Sequence, residues 1–219
     1  MTTVGVTAGG TMPATSTNTD RARWAGISGP VFGVLLVASV FMTAGLPPAK
    51  NATKVQAWTV KHTGLLTGSA LATLAAVVVG LYFLTWLHSR LSRPETGWLA
   101  TMFLVGMVMF AAGGALSAGV DASLGTDAKH LNTGSLQLLA SLVQNLNFPM
   151  TCAGLAVMYL AAGFLIRRTS VLPGWMAWAS WAFALLAVSV VLSFVALIGT
   201  VLWVMFAGLY TAVRRAAQE

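Results

Sequence analysis

RRTSVLPGWMAWASWAFALLAVSVVLSFVALIGTVLWVMFAGLYTAVRR, residues 167–215, is the stretch on which the fold turns. No residue between its two arginine pairs is charged. The run from Thr169 to Val213 is about twice the ~20 helical residues that cross a ~30 Å hydrocarbon core. A single crossing would also leave Arg167-Arg168 and Arg214-Arg215 on opposite sides, whereas short loops rich in Lys and Arg stay cytoplasmic. The stretch therefore predicts two helices, 175–192 and 195–213, turning near Ser193, its most central polar residue.

The same logic extends outward along the chain. Arg21, Arg23, Arg90, Arg93, Arg167, Arg168, Arg214 and Arg215 fall in alternate gaps between apolar segments, and Lys50, Lys54, Lys61 and Lys129 fall in the others. This partition predicts an all-α, polytopic membrane protein with six transmembrane helices and both termini cytoplasmic. The first four spans are expected at 26–46, 64–87, 98–120 and 143–166, within a single domain, 24–215. Outer loops are expected at 47–63 and 121–134, and inner loops at 88–97 and 167–174. Residues 1–23, rich in threonine and without an apolar run, read as a disordered cytoplasmic tail.

Composition agrees with a membrane chain. It is 57% hydrophobic and 8% charged, where soluble domains carry about a quarter charged residues. The net charge of +7 comes mostly from arginines flanking spans, so nucleic acid is not an implied partner. Membrane lipid is. Tyr82, Tyr159 and Tyr210, with Trp24, Trp86, Trp98 and Trp175, lie near inner helix ends and read as an interfacial belt. The single cysteine, Cys152, reads as a small hydrophobe.

Two patterns bear on packing. Gly29 and Gly33, Gly64, Gly68 and Ala72, Gly114 and Ala118, and Ala115 and Gly119 recur at four-residue spacing, which lets helix backbones approach closely. Such faces serve packing within the monomer, or a homo-oligomer or membrane-protein partner. A shift of 77 residues superposes Tyr82 on Tyr159, Arg90 on Arg167, and Gly97-Trp98-Leu99-Ala100 on Gly174-Trp175-Met176-Ala177. Either an internal duplication or the shared grammar of inward and outward helices produces that match.

Chemistry-bearing residues are sparse. Gln137, Ser141, Gln144 and Asn145 form one helical stripe ahead of Pro149, whose missing donor favours a break. Residues 135–166 are too long for one span at ~1.5 Å per residue, so either the helix projects outward or 135–146 is a separate amphipathic segment. In one reading His62, Asp121, Gln144, Asn145 and Asn147 converge on an outward-facing ligand site. In the plainer one the amides cap helices, His62 is interfacial, and Asp121 is a helix-end residue meeting water. No charged residue or histidine lies between the expected interfaces, which argues against a proton-driven pump. His62 and His130 fall outside and His88 inside, so no metal site is expected. No cofactor and no catalytic residue is expected either; Ser69 has no histidine at its depth.

Arg168-Thr169-Ser170-Val171-Leu172-Pro173-Gly174-Trp175-Met176-Ala177-Trp178 resembles the inner-loop signature Arg-Thr-x-x-Leu-Pro-x-Trp-Leu-Gly-Trp of bacterial, largely actinobacterial, six-helix membrane proteins of the DUF4386-like kind. Lys61-His62-Thr63-Gly64 and the following helix are similar to the same group. The chain departs from it at Gly174, where a basic residue is common, and at Ala177, where glycine is common. The resemblance implies six helices and a bacterial plasma membrane, and it implies no activity. The expectation is therefore a non-enzymatic integral membrane protein with a structural, assembly or stress-related role, the alternative being a small-solute or lipid transporter that uses the outer polar stripe.

Overall fold

The computed structural model describes residues 16–48, 51–127, 130–142, 148–189 and 193–216. These residues are helical apart from short turns. The helices are α1 (Ser16–Thr43), α2 (Ala52–Lys61), α3 (Thr63–Leu91), α4 (Gly97–Asp127), α5 (Thr133–Leu142), α6 (Phe148–Thr169), α7 (Gly174–Val188) and α8 (Ser193–Ala216). In hydrocarbon every backbone amide must be satisfied internally, and apolar runs of this length meet that demand only as helices. Five of them, α1, α3, α4, α6 and α8, are long and apolar enough to cross a membrane. Helix α7 is apolar but has 15 residues, about 22 Å of rise.

Six helices pack in a ring in the order α1, α3, α4, α6, α7, α8, which α1 and α8 close. Each neighbouring pair is antiparallel, as the contacts show. Ser180 and Phe183 of α7 meet Trp203 and Gly199 of α8, so residues 169–213 form a hairpin and not one rod. Gly26 lies against Ala212 and Gly33 against Met205, which brings the start of α1 and the end of α8 to the same end of the bundle. The turn between α3 and α4 shares that end: the Arg93 guanidinium donates to the Thr169 carbonyl at the end of α6 (3.3 Å). Lys54 and Lys61 lie on α2, next to the opposite end of α3.

Boundaries differ from the expected ones where the first charge was taken as the helix end. Helix α1 already begins at Ser16, inside the segment expected as a tail, and α4 continues past Asp121 to Asp127. The overhanging outer ends of α3 and α4 are covered by α2 and α5. Leu66, Val120, Leu124 and Leu136 form a small second core there, with Trp58 against it. What was expected as the loop 47–63 therefore contains a helix. Helix α5 covers Thr133–Leu142, residues 143–147 lie outside the described residues, and α6 carries Pro149 at its second position, where proline lacks only a donor that the first turn does not use.

The half of the ring nearer the arginine-bearing end is filled. Tyr159 is fully buried, 5.7 Å from Phe183 and 5.6 Å from Trp203 between ring centroids, and Trp203 Nε1 donates to Ser180 Oγ (3.0 Å). This corrects its assignment to the interfacial belt. Trp24, Trp98 and Trp175 are exposed on the bundle surface, as is Tyr82. Gly97 and Gly174, the positions matched by the 77-residue shift, each open a helix, but Tyr82 faces out where Tyr159 faces in.

Candidate functional site

The half of the ring nearer the lysine-bearing end is not filled. A cavity of ≈200 Å³ lies between α1, α3, α4, α6 and α8. Each wall is one helical face, read off positions three and four apart. Helix α1 contributes Phe32, Leu36, Ser39 and Thr43; α4 contributes Phe110, Gly114, Ser117 and Asp121. Thr73 and Ala76 come from α3, and Thr151, Cys152 and Leu155 from α6. Along α1, α3, α4 and α6 the lining passes from polar near the lysine-bearing end to apolar in mid-bundle. The floor is the edge-to-face pair Phe32 and Phe110, with centroids 6.3 Å apart.

Asp121 is the one carboxylate in this lining. It is half-buried, and Ser69 Oγ lies 2.9 Å from its Oδ2 and 3.3 Å from the Ser39 carbonyl. A hydroxyl has a single proton to donate. The shorter, charge-assisted contact is the stronger one, so Ser69 donates to the carboxylate. The Ser39 hydroxyl is used within α1, donating to the Leu36 carbonyl (2.8 Å). Among the described residues no Lys, Arg or His pairs with Asp121, and Ser69 is its hydrogen-bond partner. The expectation of a helix-end position is thus corrected: α4 continues past Asp121 to Asp127, and the carboxylate lines a space that is partly open.

His62 does not join it. His62 sits between α2 and α3, its ring stacked on Trp58 (4.6 Å) and its Nδ1 2.8 Å from the Trp58 carbonyl, and it is not part of the cavity lining. Gln144, Asn145 and Asn147 lie outside the described residues. Ser39, Thr43, Ser69, Thr73, Ser117, Thr151 and Cys152 were not read as one constellation. Their signal was present as hydroxyls at helical spacing, Ser39 with Thr43 and Ser117 with Asp121, but each hydroxyl alone is an ordinary helix residue bonding its own backbone.

The chain matches no protein-family model, no curated protein and no solved structure. Chemistry alone therefore describes the site. A carboxylate without a cationic partner among the described residues, at the rim of a space with aliphatic and aromatic walls, favours a ligand that brings a positive charge and an apolar body. Among the described residues no group of three or more His, Cys, Asp or Glu is placed to hold a metal ion.

Proposed function

We propose that this protein is a six-span protein of a bacterial plasma membrane, with both termini cytoplasmic, that binds a small solute in the outer half of its helix ring as a carrier or receptor for it. The alternation of arginine ends and lysine ends supports the orientation. The observation that carries the function is Asp121, held by Ser69 on the wall of the ≈200 Å³ cavity. Ionisable residues at membrane depth are costly and usually mark solute pathways. A purely structural or assembly role has no use for such a space, so the cavity favours the solute-handling alternative. No catalytic step is assigned to it.

Cys152, the single cysteine, lines the cavity and reports on it directly. In sealed vesicles with the outer face exposed, trimethylammonioethyl methanethiosulfonate is expected to modify Cys152 about tenfold faster than the sulfonatoethyl reagent, each rate normalised to that with a free thiol in solution. Asp121→Asn is expected to remove most of that preference. Failure of either reagent to reach Cys152 in the folded protein, or an equal charge preference without Asp121, would overturn the assignment.

A further inference from the structure

A second space adjoins the cavity. Helices α1 and α8 are in backbone contact through their inner halves, where a Cβ on Gly29 would stand 2.7 Å from the Val204 carbonyl oxygen and one on Gly208 would stand 2.8 Å from the Gly26 carbonyl. Their outer halves carry larger side chains, and a groove of ≈340 Å³ lies between them. Every side chain lining it is apolar, and Phe41, Ile198 and Leu202 are exposed on the outer surface of the ring, where lipid would lie. Leu36, Val40 and Leu197 line both spaces. The partition between groove and cavity therefore includes three aliphatic side chains, whose rotamer changes are fast compared with any helix motion.

We infer that the solute is a single-chain cationic amphiphile, with its ammonium head at Asp121 and its alkyl chain in the groove between α1 and α8, reached sideways from the outer leaflet. This rests on the reading of the cavity as a solute site. Charge complementarity selects the head: the carboxylate has Ser69 and no cation beside it among the described residues. The three aliphatic side chains that the two spaces share select the chain. From Leu36 to Ala44 the groove follows α1 for about 12 Å, and no polar side chain lines it to bind anything but hydrocarbon. A chain passing from lipid to groove gains no hydrophobic free energy, because both surroundings are apolar. Binding selectivity thus lies in the head, and the groove decides which molecules can bring a head to Asp121 without leaving the bilayer.

The test uses the full-length chain in vesicles, with a neutral thiol reagent on Cys152 so that surface charge does not alter its delivery. Dodecyltrimethylammonium, compared at equal mole fraction in the membrane with dodecyl sulfate and dodecyl maltoside, is expected to slow labelling about tenfold while the other two do not. Tetramethylammonium, which lacks the chain, is expected to protect only at high aqueous concentration. Leu202→Trp fills the groove from its lipid side and is expected to remove protection by the dodecyl compound, measured relative to the variant's own unprotected labelling rate and its own protection by tetramethylammonium. Equal protection by dodecyl sulfate or dodecyl maltoside, or full protection in the Leu202→Trp variant, would overturn the amphiphile and its groove. The charge-selective labelling of Cys152 would still stand in that case; its loss would instead remove the solute site itself.

Discussion

Asp121 and Ser69 form the contact on which the site depends. Ser69→Ala removes this donor from a half-buried carboxylate, whereas Asp121→Asn keeps an acceptor for the same hydroxyl. Ser69→Ala is expected to lower stability by about 0.5–1.5 kcal/mol, the scale of side-chain hydrogen bonds between membrane helices, and Asp121→Asn by less. Thermal unfolding in detergent measures the order, and a larger loss in the Asn variant would contradict the assigned direction of the bond. The sequence identified Asp121 as a residue of interest but placed it at the end of a helix that in fact continues to Asp127. A charge ordinarily ends a membrane span, and nothing in the linear pattern reveals that two outer helices, α2 and α5, will cover the ends of α3 and α4 and let α4 run on to Asp127. Tyr159 was misread for a similar reason: proximity to arginines locates a residue along the membrane normal but not around the helix axis.

Helix packing depends on a few glycines, and they differ in how much depends on each. On α4 a Cβ at Gly106 would fall 2.5 Å from the Met158 amide nitrogen, and on α6 a Cβ at Gly154 would fall 2.7 Å from that of Phe110. Backbone cannot yield as a side chain can, so Gly106→Ala and Gly154→Ala must push α4 and α6 apart. Each is expected to cost about 1–3 kcal/mol, while Gly119→Ala, with nothing within 4 Å of the new Cβ, is expected to be neutral. Detergent unfolding of the three variants checks the contrast. Four-residue spacing alone did not separate these cases. It drew attention to Gly29 and Gly33, which pack on α8, and equally to Gly64 and Gly119, which meet nothing; it passed over Gly106 and Gly154, whose partner lies on another helix. Pro149, at the second position of α6, was better marked, because proline restricts the backbone whatever surrounds it. Helix α2 was read as a loop since its buried positions, Val55 and Thr59, are few and lie among polar residues.

For the whole molecule, charge order along the chain constrains direction but not neighbourhood. Alternating arginine and lysine ends predict helices that run up and down in turn, and the antiparallel contacts agree with such alternation; the same alternation would suit a row of helices or two separate bundles. Closure into a ring is made by α1 and α8, the helices farthest apart in sequence, through Gly26, Gly29 and Gly208. Closure also creates the site, since Leu197 of α8 completes a wall otherwise drawn from α1, α3, α4 and α6. Gly208→Leu is therefore expected to separate α1 from α8, because its Cβ would already stand 2.8 Å from the Gly26 carbonyl oxygen and 3.0 Å from Pro30 Cδ. The consequence should reach the cavity on the far half of the interface: a lipid-soluble maleimide should label Cys152 several-fold faster, and the Asp121-dependent preference for cationic over anionic aqueous reagents should shrink as the wall opens to lipid. The arrangement of arginines predicts in addition that a reporter fluorescent only in the cytoplasm is active after Ala216 and inactive when inserted after Asn132. If Gly208→Leu left Cys152 labelling unchanged while lowering stability, α1 and α8 would be joined for strength alone, and the cavity would owe its walls to the other helices.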